Sequence, residues 1–140
     1  HGLWSTAYVF FNAMYLFVQG FHLEFGGSSM LDPVAMDRAG TSLLAASPFV
    51  LLAFFTPLKR PVLIGIATIL VIALPTLFYH SNGFSQFNVQ RYVLDWLPIV
   101  FYMLALAVTD RERNALALLV TYGIGLNVVT MALLALRIAA

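Results

Sequence analysis

Four stretches of this chain, residues 41–57, 61–79, 92–109 and 114–136, are each apolar over roughly the 20 residues that a helix needs to cross a bilayer core. A fifth, residues 3–21, is apolar and aromatic but carries Ser5, Thr6, Asn12 and Gln19. It is read as a further span, with an interfacial helix packed on the others as the alternative. These segments leave little chain for a water-facing surface. The 140 residues are 61% hydrophobic and 9% charged, where a soluble domain is about 25% charged. Seven basic and six acidic residues cannot solvate that much apolar material, and their near balance excludes a basic nucleic-acid binder. The expected fold class is therefore all-α: a polytopic integral membrane helix bundle of about five transmembrane helices, in a single transmembrane domain over residues 1–140.

The connections orient this bundle. Leu58-Lys59-Arg60 joins the second and third segments, and Asp110-Arg111-Glu112-Arg113 joins the fourth and fifth. Four of the seven basic residues lie in these two turns, which the positive-inside rule places in the cytoplasm. The longer connections, residues 23–40 and 80–91, then lie outside; Arg137 alone falls against the pattern. Gly26-Gly27-Ser28-Ser29, Asp32-Pro33 and Asn82-Gly83 mark turns in the outer loops. Aromatic residues crowd the same boundary, among them Phe21, Phe25, Phe78, Tyr79, Tyr92 and Trp96. Pro48, Pro75 and Pro98 are expected to kink helices or free backbone carbonyls.

Polar groups that a bilayer makes costly are the candidates for chemistry. Asp95 lies near the start of the fourth span, with Arg91 four residues earlier, so on a helix the two share a face. They read either as an interfacial pair orienting the helix end, or as an arginine aimed at a lipid phosphate with Asp95 fixing its rotamer. His80, Asn82, Gln86, Asn88 and Gln90 make the preceding loop dense in hydrogen-bonding groups suited to sugar hydroxyls or phosphate, against the plain reading of a solvated turn. Glu24, Asp32 and Asp37, with Arg38, lack metal-ligand spacing and read as a hydrated, helix-capping loop. No His or Cys partner at ligand spacing accompanies His80, so no metal site is assigned, and no cofactor is indicated. Asn12 and Asn127 read as interhelical hydrogen-bonding amides, and Thr121, Gly123 and Gly125 as a small-residue packing patch. Ser47-Pro48 reads as a helix bend whose freed backbone group meets the hydroxyl.

From Ser85 to Pro98 the sequence reads Ser-Gln-Phe-Asn-Val-Gln-Arg-Tyr-Val-Leu-Asp-Trp-Leu-Pro. This resembles the late motif of bacterial polytopic glycosyltransferase-like proteins: a Gln-Phe lead, Arg-Tyr, two apolar residues, Asp, and a Leu-Pro that begins a span. Gly40-Thr41-Ser42-Leu43-Leu44 with Ala46-Ser47-Pro48 is similar to that group's entry to an earlier span. Asn12 and Gly125-Leu126-Asn127 stand where the group also carries amides. Where the group has Gly-Tyr before the Arg, this chain has Asn88-Val89-Gln90.

The resemblance implies the C-terminal membrane region of a protein of the GT-C type, related to dolichyl-phosphate-mannose–protein mannosyltransferases, in the bacterial plasma membrane. Such proteins transfer a sugar from a polyprenyl-phosphate donor on the outer face. On this reading Arg91, Asp95, His80, Asn82 and Gln86 contact the donor, and no catalytic residue is assigned. The catalytic carboxylate would belong to an upstream loop of a longer chain, consistent with a start at His1. The expected partners are membrane lipid, the donor and the rest of that chain. A non-enzymatic membrane scaffold or transporter subunit is the alternative.

Overall fold

The computed structural model describes residues 2–36, 40–80 and 91–136; for Ala35, Met36 and Arg91 it describes the backbone. The chain is mostly helical. Two helices are long and apolar enough to cross a membrane: α3, Arg60–Leu77, and α5, Arg113–Ala135. At 18 and 23 residues they measure about 27 and 34 Å. Pro61 sits in the first turn of α3, where its missing N–H would have had no partner. Pro75 sits two residues before the other end, where it removes the bond to the Val71 carbonyl and helps close the helix.

The other three apolar segments do not form helices of that length. Residues Thr6–Val18 (α1) pass from 3-10 to α to π geometry in 13 residues. In the segment 41–57, α2 (Leu43–Ala46) stops at Ser47, whose backbone turns to φ −137°, ψ 62°. A 3-10 helix, Pro48–Phe55, follows. This is a break where the sequence suggested a bend. Pro48 has no N–H to return to the Leu44 carbonyl, and its ring drives the preceding residue out of the α region. In the segment 92–109, a 3-10 turn at Arg91–Val93 precedes α4, Leu97–Ala107, of 11 residues. The expectation of five membrane-length helices is thus reduced to two among the described residues.

The all-α expectation needs a second correction. Strands β1 (Leu23–Gly26) and β2 (Asp32–Met36) form an antiparallel hairpin, pairing Leu23 with Met36, Glu24 with Ala35, Phe25 with Pro33 and Gly26 with Asp32, with a register shift after Glu24. The Gly26–Ser29 run supplies the turn: Gly27 has φ 78°, and the Met30 N–H donates to its carbonyl. The hairpin is an excursion, because the Ser42 N–H donates to the Gln19 carbonyl at 2.8 Å and ties α1 to the start of α2.

The core sits among the irregular segments. Leu16, Leu43, Val50, Ala53, Trp96 and Met103 cluster with Val62, Val93 and Val100. The main packing is α4 against the 3-10 helix 48–55. Thr56 is buried there, its hydroxyl 2.7 Å from the carbonyls of both Ala53 and Met103. By contrast, only Val62 of α3 and Gly123 and Thr130 of α5 are buried. In the most apolar windows of the two long helices, 6% and 17% of residues are buried, whereas the core helix of a soluble domain would be mostly covered. Their outward side chains are large and apolar, including Ile64, Val71, Leu118, Ile124, Val128 and Met131.

Candidate functional site

The exit of α3 is held by the N-terminal segment. Asn12 has no exposed surface, and its amide donates to the carbonyls of Leu77 (2.7 Å) and Tyr79 (2.8 Å), with that of Thr76 at 3.5 Å. The Ser5 N–H donates to the Phe78 carbonyl, and the His80 N–H to the Leu3 carbonyl. Trp4 meets Tyr79 edge-on at 5.1 Å, and Tyr8 meets His80 edge-on at 5.2 Å. A helix C-terminus leaves carbonyls without intrahelical partners, and here a neighbouring segment supplies the donors. The interhelical role expected of Asn12 is therefore specific: it braces the end of α3, immediately before His80. His80 is itself exposed.

Asp95 is placed by its neighbours. Between the 3-10 turn Arg91–Val93 and α4, the Trp96 N–H donates to the Val93 carbonyl at 3.1 Å. Val93 (1% exposed) and Trp96 (6%) point into the core, so Leu94 and Asp95 between them are turned outward. The premise that Arg91 and Asp95 share one α-helical face does not hold. The backbone from 91 to 96 is a 3-10 turn followed by a second turn, and the α-helix begins only at Leu97, with Pro98 in its first turn. The Arg91 side chain, Asn82 and Gln86 lie outside the described residues, as do Asp37 and Arg38.

Beneath this turn lies a cavity of about 390 Å³ between the end of α1, α2, the 3-10 helix 48–55, α3 and α4. Trp96, Val100 and Met103 form one wall, and Ile69, Ala73 and Leu77 form part of another. A second, more open groove of about 450 Å³ separates Ala46–Phe49 from one face of α5. Among the described residues, no group of three or more His, Asp or Glu side chains could hold a metal ion.

At the opposite end, Thr109 and Glu112 close the turn that leads into α5, a pairing not anticipated from the sequence. The Glu112 carboxylate accepts from the Thr109 N–H (3.0 Å) and from the Thr109 hydroxyl. The hydroxyl bond, then the N–H bond, hold the Glu112 carboxyl below its ordinary value. Asp110 and Arg113 pair at 2.9 Å, both highly exposed, and add little. Asn127 donates to the Gly123 carbonyl within its own helix.

The cavity, the bracing role of Asn12 and the burial of Trp96 were not visible beforehand. By sequence Trp96 reads as a boundary aromatic; the signal for its burial is its spacing of three from Val93, with the charged Asp95 between them. Comparison of the chain with protein-family models, with curated proteins and with solved structures finds no match.

Proposed function

We propose that this chain is the membrane part of a polyprenyl-phosphate-sugar-dependent glycosyltransferase and contributes to donor binding at the outer face. The observation that carries the reading is the 91–96 turn. Burial of Val93 and Trp96 turns Asp95 to the surface, while Trp96, the next residue, lines an apolar cavity. A phosphate at that turn and a hydrocarbon tail among the apolar walls is an arrangement that a lipid-linked sugar requires. The resemblance of residues 85–98 to the polytopic glycosyltransferase motif points the same way.

In this reading α3 and α5 cross the bilayer with their exposed apolar faces to lipid, and segments 3–21, 41–57 and 92–109 complete a five-span bundle. Broken backbone is tolerated at membrane depth where protein covers it, and these segments hold most of the buried residues. The turns at 58–60 and 110–113 face the cytoplasm, and 23–40 and 80–91 the outside. In the transfer, the bond between the sugar's anomeric carbon and the phosphate oxygen breaks, an acceptor oxygen takes its place on that carbon, and polyprenyl phosphate leaves with the bonding electrons. Arg91 stabilises the charge that grows on the departing phosphate. Asp95 positions Arg91, and His80, Asn82 and Gln86 contact the polar part of the donor. No acid–base residue is assigned within residues 1–140.

The test is Arg91→Ala in the full-length protein, with transfer from a labelled polyprenyl-phosphate sugar as the readout. Loss of one charge-stabilising donor is expected to lower turnover by about 100-fold, with partial rescue in Arg91→Lys. Unchanged transfer would sink the assignment and favour a non-enzymatic scaffold or transporter subunit.

A further inference from the structure

The β1–β2 hairpin lacks cover. Among the described elements none packs broadly against it, and an isolated two-stranded hairpin is marginal in water. Its surface is apolar where turns are usually polar. Phe25, Met30, Leu31 and Val34 are 49%, 65%, 74% and 51% exposed, and Met30 and Leu31 sit in the connection between the strands. Met30 holds a left-handed backbone, φ 55°, that Gly or Asn would adopt at lower cost, so a large apolar side chain stands at the tip against local preference.

The bonds at the hairpin's base fix how deep it starts. Gly123 is one residue from the middle of α5, and a methyl there would lie 3.1 Å from the Ala46 carbonyl oxygen, so Ala46 sits beside the helix midpoint. From Ala46 back to Ser42 is one turn of α2, about 6 Å. The Ser42 N–H meets the Gln19 carbonyl at 2.8 Å, and the chain from Gln19 to Leu23, where β1 starts, reaches about 14 Å at most. β1 therefore starts within roughly 20 Å of the level of the α5 midpoint, and a bilayer with its headgroups is about 40–45 Å thick. With α5 centred in that bilayer, the hairpin begins no higher than the headgroup layer. Its unpaired strand edges exclude it from the hydrocarbon core, which leaves the interface.

We propose that this hairpin is an interfacial anchor: Phe25, Met30, Leu31 and Val34 insert among lipid chains at the headgroup–acyl boundary, with the exposed Glu24 and Asp32 carboxylates in the hydrated layer. Residues 20–40 carry three carboxylates and one arginine, so the attraction is apolar and not electrostatic. This role rests on α5 crossing a bilayer, as proposed above, and is independent of sugar transfer.

The chain has no cysteine, so one introduced cysteine gives a unique labelling point within it. A nitroxide is attached at Leu31→Cys in the full-length protein in phosphatidylcholine nanodiscs. Electron paramagnetic resonance then reads its collisions with oxygen, which concentrates in lipid, and with a water-soluble nickel chelate. Val129→Cys, on α5 and 48% exposed, is the lipid reference, and Asp110→Cys, in the exposed turn before α5, is the water reference. The Leu31 label is expected to show an oxygen-to-nickel ratio several-fold above that at Asp110, at a depth of about 5–10 Å into the headgroup–acyl boundary. If Leu31→Cys does not fold, Val34→Cys reads the same surface from β2. In the Val34-labelled protein, Met30→Ser with Leu31→Ser should raise nickel collisions several-fold, because the inserted apolar area is lost. Replacing part of the phosphatidylcholine with phosphatidylglycerol should leave the depth unchanged; a deeper label would overturn the apolar basis of the anchor. Nickel access at Leu31 equal to that at Asp110 puts the hairpin in water, and shielding from both reagents puts it under protein; either result overturns the proposal. Free nickel access at Val129 would instead remove the crossing by α5, so failure of that reading and failure of the anchor are distinguishable.

Discussion

The molecule contains two kinds of apolar segment, and they face in opposite directions. Helices α3 and α5 are regular and long, and turn most of their apolar side chains outward. The segments around residues 6–18, 41–56 and 91–107 are short, broken and partly 3-10 or π, yet they hold the core. The difference follows from where backbone polar groups can be satisfied. A continuous α-helix meets its own hydrogen bonds and can present its flanks to an apolar solvent. A broken one exposes carbonyls and must be covered by neighbours, as the Ser42–Gln19 and Thr56–Met103 bonds do here.

The largest expected effect tests this contrast directly. Trp96→Ala should cost about 3–5 kcal/mol, because it removes a buried aromatic beside an existing cavity. Ile64→Ala, on the outward face of α3 at 68% exposure, should cost under about 0.5 kcal/mol if lipid or detergent is its surrounding in both states. Reversible unfolding in mixed micelles would measure both. Equal costs would mean that the outward faces of the long helices are covered in the native protein.

Next comes Asn12, the donor that an irregular segment lends to a regular helix. Asn12→Leu keeps the volume but leaves the Leu77 and Tyr79 carbonyls short of a donor, at a cost of about 1–3 kcal/mol. Amide exchange at Phe78 and His80 should quicken more than exchange at Leu63 in the first turn of α3. Uniform exchange would show that the end of α3 does not rely on this brace.

How much of this was legible beforehand differs between the two kinds of segment. The long helices could be read because hydropathy alone decides them: no residue between Val62 and Leu74 is charged, Pro or strongly polar. The broken segments have the same hydropathy, so the same argument drew them as spans. Pro48 marked the break, but composition could not weigh a kink against a change to 3-10 geometry, which here depends on packing against α4. The hairpin was hidden for another reason. Its turn residues were recognised as a loop, but two short strands carry too few alternating positions to announce themselves. At the candidate site, the exposure of Asp95 was legible as a charged residue in an apolar run, whereas the shared helical face with Arg91 was an extrapolation of α-helix through a turn.

The contact between the two kinds of segment can be probed with a matched pair of glycines in α5. A methyl group at Gly123 would lie 3.1 Å from the Ala46 carbonyl oxygen, while one at Gly125 would meet open space. Gly123→Ala should therefore push α5 off the 43–55 region and destabilise by about 1 kcal/mol. Gly125→Ala should be neutral or stabilising by about 0.5 kcal/mol through helix propensity. The same sign for both would show that α5 does not seat where Ala46 and Gly123 meet.

The smallest effect concerns how α5 begins, and it depends on pH. Donation from the Thr109 hydroxyl and N–H favours the charged Glu112 carboxylate, so its pKa in the folded chain lies below the ordinary value. A depressed carboxyl stabilises the folded state in full above the unfolded value. That contribution fades as pH falls past the ordinary glutamate range and through the lower folded value, and is gone below both. Glu112→Gln retains a side chain that can reach back to Thr109 but removes the charge. The variant should therefore be slightly less stable than the parent at neutral pH, and the two curves should converge in acid. Thr109→Val removes the hydroxyl and should move the Glu112 titration back toward the ordinary value in an NMR pH series. If the gap between parent and Glu112→Gln instead stayed constant down to strongly acidic pH, the carboxylate would not be what starts the helix, and the first turn of α5 would depend on packing, as the broken segments do.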